Sequence, residues 1–191
     1  MTIEPESNEP LLSAILATDT IERVERVIQS LAEQTVAKRI ELILVIISRI
    51  DSSRQETIQR AFHSIRVIQV ESIVPLSAAR AKGVRVALAP FIFIAETHAY
   101  PDPSLAEKLI DALSGEWSLA VPGFRNANPH SGLSWAGFLS DYGAWSQNLE
   151  GGEIFRPPSH DAAFRRSVLL ESGDRLEKAL TFGSFMPQVR R

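Results

Sequence analysis

The stretch IELILVII, residues 40–47, decides the fold. Its hydrophobicity is continuous rather than alternating, which is the pattern of a strand covered on both faces and therefore of a parallel sheet. On its N-terminal side lies LLSAILA (11–17), a second buried strand, followed by a segment that puts Ile21, Val24, Val27, Ile28 and Leu31 on one helical stripe. On its C-terminal side a helix from about 53 to 63 opens with the capping-box pattern Ser53 to Glu56, and the strand IRVIQVE (65–71) comes next. A helix over roughly 77–88 leads to the strand FIFIAE (91–96). Asp102 and Pro103 then look like the N-cap and first turn of a helix that buries Leu105, Leu109, Ile110 and Leu113. SLAVPGF (118–124) reads as a fifth strand. Strands and helices in alternation predict an α/β fold, a single domain whose mostly parallel sheet is covered by helices on both faces.

Composition fits one soluble domain. The 191 residues are 45% hydrophobic and 23% charged, enough for one sizeable core. Twenty basic against 23 acidic residues leave a net charge of −3, so no electrostatic footprint for nucleic acid or an anionic membrane is expected. The absence of cysteine removes disulfides, thiolate nucleophiles and cysteine-based metal sites, and the cytoplasm is the expected compartment. Residues 1–10 read as a loose polar tail. No apolar run approaches the roughly 18 residues a membrane span requires, and no signal peptide is expected.

Ligands of open α/β sheets bind beyond the carboxyl ends of the strands, which directs attention to the polar residues there. Thr18 and Asp19 follow the first strand, Asp51 the second, and Glu96 and His98 the fourth, with Arg80 on the intervening helix. Asp19 also fits a helix N-cap with Glu22 three residues on, Asp51 a turn, and Arg80 a solvated helix face. Glu96 and His98 are two apart on an extended segment, so both side chains point to one side and can converge on a cation. Oxygen ligands suit Mg²⁺ or Mn²⁺, and the imidazole leans toward Mn²⁺. Beyond Phe124 the sequence LSWAGFLSDYGAW spaces Trp135, Tyr142 and Trp145 as an amphipathic helix does, where core packing is the expected role and stacking on a sugar the alternative. AAFRRSVLLESG reads as a short strand or helix. His160 reads as a loop histidine, Asp161 as the cap of a helix, and Asp174 as a turn residue leading into a polar helix.

Together these segments resemble the family 2 glycosyltransferases, which have the GT-A fold, a Rossmann-like nucleotide-diphospho-sugar transferase architecture. The resemblance covers most of residues 11–175. It is most specific at AARAKG (78–83), which is similar to that family's AARNxG, and at the strand leading into Glu96-Thr97-His98, where the family has its DxD motif. The segments NAN (126–128), LSWAGFLSDYGAW and HDAAFRR (160–166) resemble the acceptor-side half. The resemblance implies an inverting, metal-dependent transferase with a nucleotide-sugar donor and an acceptor that is a saccharide, a lipid-linked molecule or a protein. It implies a donor half over about 11–115 and an acceptor half over about 116–191. Glu96 and His98 would hold a divalent ion, Mn²⁺ or Mg²⁺, against the donor pyrophosphate, and Thr18, Asp19, Asp51 and Arg80 would border the donor.

The departures from the family pattern fall on the donor pocket. Leu16 and Ala17 stand where a proline-threonine turn is usual, Asp19 replaces an asparagine, and Ala81 replaces another. Ile46 and Ile47 stand where paired aspartates read the nucleotide base, and isoleucine accepts no hydrogen bond, so that contact falls to the backbone, to Asp51, or to nothing. The family's catalytic base is commonly an acidic residue in a segment after the FRR region, where residue 191 ends the sequence. Asp161 is the first candidate base and Asp174 the second. The alternative reading is a non-catalytic GT-A-like domain that binds a nucleotide or a protein partner.

Overall fold

The apolar runs fold as parallel strands in the computed structural model, which describes residues 9–148, 150–154, 157, 158 and 160–181. The tail expected over residues 1–10 falls, for residues 1–8, outside the described residues. Strands β1 (Leu12–Thr18), β2 (Ile40–Ile46), β3 (Ser64–Gln69) and β4 (Phe91–Ile94) are joined by β5 (Leu119–Ala120) and β6 (Ala162–Arg165) in one sheet of order β3-β2-β1-β4-β6-β5. The first four run parallel, with Leu12 beside both Ile40 and Phe91. Strand β6 runs antiparallel to β4 and β5, pairing Ile94 with Ala162 and Phe91 with Arg165. The four expected strands are therefore neighbours in one mostly parallel sheet.

Burial on both faces explains why the runs are continuous. Leu12, Ala14, Leu16, Leu42 and Leu44 face a core closed by Val27, Ile28 and Leu31 of α1 (Glu25–Ala32) and by Leu109, Ile110 and Leu113 of α4 (Leu105–Ser114). Ile15, Ala17, Ile43 and Val45 face the opposite core, closed by α3 (Leu76–Val86) and by residues that include Leu169, Leu176 and Leu180 near the C-terminus. Helix α2 (Ser52–Gln59) buries no side chain and lies beside the β3 edge.

Several local expectations are corrected. Helix α2 starts one residue earlier than Ser53, and its cap is Asp51, whose carboxylate accepts the Arg54 N–H at 2.8 Å. Ser104, not Asp102, precedes α4, and the Asp102 carboxylate instead receives Arg125. The fifth strand shrinks to two residues because only Leu119 and Ala120 pair with β6, while Phe124 makes an isolated bridge to Ser146. The FRR region supplies both alternatives in turn, β6 and then the short helix α6 (Arg166–Leu170), before α7 (Leu176–Ala179). Asp161 consequently precedes a strand and caps no helix.

One residue of β2 is buried against expectation. Glu41 is fully buried, and its carboxylate accepts hydrogen bonds from Ser13 Oγ at 2.6 Å and from the Leu88 N–H at 2.8 Å, with Arg66 at 3.4 Å. A buried carboxylate persists only with such partners. Through the Leu88 N–H it ties β2 to the turn that leads from α3 into β4.

Gly83 of the AARAKG segment lies where α3 crosses β1. A Cβ built there falls 2.6 Å from Ile15 Cγ2. Ile15 is fully buried and branched at Cβ, so it has little rotamer freedom with which to retreat. Overpacking costs about 1–3 kcal/mol, and alanine regains up to about 1 kcal/mol of helix propensity. Gly83→Ala is expected to destabilise by about 1–2 kcal/mol and to lower the thermal midpoint by roughly 2–8 °C. A raised midpoint in a melting experiment would contradict this packing.

Candidate functional site

All four parallel strands end at one edge of the sheet, and the antiparallel β6 begins there. Thr18 closes β1 at this edge, Glu96 follows β4, and His160 and Asp161 immediately precede β6. The pairing of Ile94 with Ala162 therefore brings residues 96 and 161 together across 65 positions of sequence.

At that point Glu96, His160 and Asp161 form a cluster able to hold a cation, their ligand atoms all within 4.8 Å of one another. His160 Nδ1 lies 3.4 Å from Glu96 Oε1 and 3.5 Å from Asp161 Oδ2. Both Nδ1 of His160 and Oδ2 of Asp161 are buried without a hydrogen-bond partner. Buried polar atoms normally have partners, and this pair, 3.5 Å apart and short of a good mutual hydrogen bond, is open to a shared ligand. The two separations at His160 also suit one ion, because neighbouring ligands held at about 2.0–2.2 Å from a common cation lie roughly 3.0–3.5 Å apart. On donor set and spacing the residues present fit a divalent metal.

The cluster is held rigidly. Asp161 Oδ1 accepts the Glu96 N–H at 3.1 Å, and the Asp161 N–H donates to the carbonyl of Ile94. Among the described residues Asp161 is the single non-glycine with positive φ, at 48°, a left-handed conformation that aspartate tolerates better than most residues. Such backbone positions concentrate at functional sites. Burial pushes the Asp161 carboxyl above its ordinary range, and the charge of Glu96 pushes in the same direction against the neighbouring His160. Arg80 of α3 is buried close by, its guanidinium made less basic by desolvation while Glu96 and Asp161 favour its charge.

Beside the cluster opens a cavity of about 480 Å³. Its lining includes Phe93, His98, Tyr100 and Asp102, the residues Phe124, Arg125, Asn126, Phe138 and Tyr142, and Asp161 of the cluster. Arg125 donates to both oxygens of Asp102, at 2.6 and 2.8 Å, so the two charges in the wall cancel. Gly123 lets the wall close, since a Cβ there would fall 2.9 Å from Gln147 Cα.

The aromatic segment is corrected here. Helix α5 (Gly132–Asp141) buries none of its residues, and Trp135 and Trp145 do not enter the core. Tyr142, at its C-terminal end, turns to the cluster instead, donating a hydrogen bond to Glu96 Oε2 at 2.6 Å. Spacing along a helix predicted the amphipathic stripe but not what the stripe would meet.

The other expected site residues are placed as follows. His98 is 65% exposed in its side chain and stands outside the three-residue cluster, with Nε2 at 3.4 Å from Glu96 Oε2 and 3.1 Å from Tyr142 Oη. Thr18 is buried and donates to the carbonyl of Thr20. Asp19 accepts Arg23 at 2.8 Å, which holds its carboxyl below the usual range, and it also accepts the Thr20 N–H; Ile21 takes the position at the start of the following helical turn. Asp51 is the cap of α2, and Asp174 lies exposed in the turn Gly173–Arg175, away from the cavity lining. Ile46 is fully buried in β2, and Ile47 is exposed at its end. His160, expected as a loop histidine and not as a cation ligand, is the imidazole of the cluster; its one sequence signal is its position beside Asp161 directly ahead of AAFRR.

Comparisons with known proteins follow the same outline. The profile of glycosyl transferase family 2 matches residues 15–173. Among solved structures, S. aureus TarS 1–349 in complex with UDP-GlcNAc superposes with a TM-score of 0.60 at 15% identity, over 86% of this chain and 47% of that one. Mannosyltransferase PcManGT from Pyrobaculum calidifontis, in complex with GDP-Man and Mn²⁺, gives a TM-score of 0.60 at 14% identity, over 87% of this chain and 48% of that one. The chain thus spans about half the length of these structures. No curated protein sequence gives a significant match. Among the described residues no helix is long and apolar enough to cross a membrane. With the profile match over most of its length and the GT-A fold on which β1 to β6 are arranged, the chain belongs to glycosyl transferase family 2.

Proposed function

We propose that this protein transfers a sugar from a nucleotide-sugar donor to an acceptor hydroxyl, using a divalent cation, Mn²⁺ or Mg²⁺, held by Glu96, His160 and Asp161. The observation that carries the reading is the orphaned pair His160 Nδ1 and Asp161 Oδ2 beside Glu96 at the carboxyl edge of the sheet. The GDP-Man and Mn²⁺ complex of a structurally similar mannosyltransferase supports it. A bound cation would supply charge neutralisation for the diphosphate leaving group. We assign the donor to the half over 11–115 and the acceptor to the half over 116–191, with the cavity between them as the acceptor's place.

The chain's own residues then have separable tasks. Glu96 and Asp161 provide the anionic oxygens, which their shared hydrogen bond through the Glu96 N–H keeps in fixed relation. Arg80 adds a buried positive charge on the donor side, where a guanidinium complements phosphate. Thr18 and Asp19 border the donor at the end of β1. The walls of Phe124, Phe138 and Tyr142 exclude water from the transfer and offer aromatic faces to a sugar ring. Of the two carboxylates considered as base, Asp161 lines the cavity, and Asp174 does not.

The fully buried Ile46 favours a second reading, a nucleotide-binding domain without activity, since no side-chain acceptor stands where that of the family reads the base. Incubating the protein with Mn²⁺ and UDP- and GDP-sugars separates the two. Release of nucleoside diphosphate that stops when EDTA is added is the expected result; binding without release favours the second reading.

A further inference from the structure

Tyr142 lies 46 residues beyond Glu96 in a different half of the chain, yet its hydroxyl makes the shortest hydrogen bond that Glu96 receives, at 2.6 Å to Oε2. Its ring is fixed from three sides. Phe124 packs at 5.1 Å between centroids, Phe138 stacks at 6.1 Å, and His160 meets the ring edge-on at 5.8 Å. The Tyr142 hydroxyl also lies 3.1 Å from His98 Nε2.

The division of labour on the Glu96 carboxylate follows from these contacts. Oε2 is engaged by Tyr142, which leaves Oε1 turned toward His160 Nδ1, itself 3.5 Å from Asp161 Oδ2. A carboxylate free to rotate about its terminal torsion presents either oxygen or both, so an anchor on one oxygen selects the geometry of the other.

We propose that Tyr142 is a positioning residue for the cation site, a clamp from the end of α5 that fixes Glu96 with Oε1 directed at the ion. The inference rests on the reading of Glu96, His160 and Asp161 as cation ligands. It adds a dependence that the ligands alone do not imply: the wall of the acceptor cavity and the cation site share a residue, so the two halves of the chain are mechanically joined at the phenol.

The test measures Mn²⁺ binding by electron paramagnetic resonance, with UDP or GDP present, in the full chain and without any turnover. Tyr142→Phe keeps the ring and removes the clamp, and is expected to weaken Mn²⁺ binding by about 10- to 100-fold. Phe138→Leu, which disturbs the ring packing but keeps the hydroxyl, is expected to change it by less than about 3-fold, below the range of about 10- to 100-fold for a lost outer-shell partner. Equal weakening in the two variants means the role is packing and overturns the proposal, as does wild-type affinity in folded Tyr142→Phe. Absence of Mn²⁺ binding by the wild type overturns the cation reading and this inference together, whereas binding retained in Tyr142→Phe overturns this inference alone.

A second measurement covers the case of a variant that does not fold. The chain has two tyrosines, so a Tyr100→Phe protein labelled with 3-fluorotyrosine carries its one fluorine at Tyr142. Saturating Mg²⁺ with nucleoside diphosphate is expected to move its ¹⁹F resonance; an unmoved resonance overturns the proposal.

Discussion

Glu96→Ala is expected to abolish the stabilisation that Mn²⁺ with a nucleoside diphosphate confers on the folded protein, whereas His98→Ala keeps most of it. Ligands present at about 100 times their dissociation constant, and bound by the native state alone, stabilise by roughly 2.7 kcal/mol. For a chain of this length each kcal/mol moves the melting midpoint by about 2–4 °C, so the wild-type shift is on the order of 5–11 °C. Glu96 supplies the oxygen nearest His160 Nδ1, and its loss leaves the imidazole and Asp161 Oδ2 to hold an ion alone. His98 is largely exposed and reaches Glu96 on the oxygen that Tyr142 already engages. Thermal melts with and without ligand, for both variants, check the pair. Loss of the shift in His98→Ala with retention in Glu96→Ala would reverse the assignment.

Phe164→Ala is expected to produce the largest loss of ligand-free stability, about 3–5 kcal/mol, the usual cost of truncating a buried phenylalanine. Phe164 is 1% exposed, sits in β6 opposite Ile92 of β4 and Leu119 of β5, and fills the core that includes Leu169 and Leu176. The midpoint should fall by roughly 6–20 °C. Because β6 also carries Asp161 to the site, the same change should weaken Mn²⁺ binding even below the midpoint. A stable variant with unaltered metal binding would mean that β6 does not position the cluster.

The parts of this molecule that the sequence made legible are those where one residue pattern has one structural meaning. Continuous apolar runs at 11–17 and 40–47 can be satisfied only between two covering layers and became the fully buried β1 and β2, while 65–71 and 91–96 became β3 at the sheet edge and β4, all within two residues at their ends. The AARAKG segment was readable because Gly83 is required where α3 approaches Ile15. Helix starts were read less well: Asp, Ser and Thr near a helix all offer capping oxygens, and which one is used depends on the path of the preceding loop. Asp51 therefore took the cap expected of Ser53.

The site was half legible for a different reason. Glu96 follows a strong strand and could be placed at the sheet edge from local sequence. Its partners His160 and Asp161 arrive through an antiparallel pairing whose register, Ile94 with Ala162, has no local signature. Nearest in sequence, His98 was the natural candidate for the imidazole. Tyr142 was hidden in the same way, because helical spacing reveals an apolar stripe without revealing that its last member reaches a carboxylate in the other half. Glu41 shows the converse, a polar residue inside a readable strand whose partners Ser13 and Leu88 come from elsewhere in the fold.

We propose that Glu96, His160 and Asp161 together hold one divalent cation where the parallel strands end. Anomalous diffraction from crystals of the protein grown with Mn²⁺ and a nucleoside diphosphate tests it most directly. The account predicts one strong manganese peak at about 2.1 Å from Glu96 Oε1, His160 Nδ1 and Asp161 Oδ2. A peak held by Glu96 and His98 with His160 left aside, or no peak at this cluster while the nucleotide is bound, would contradict it.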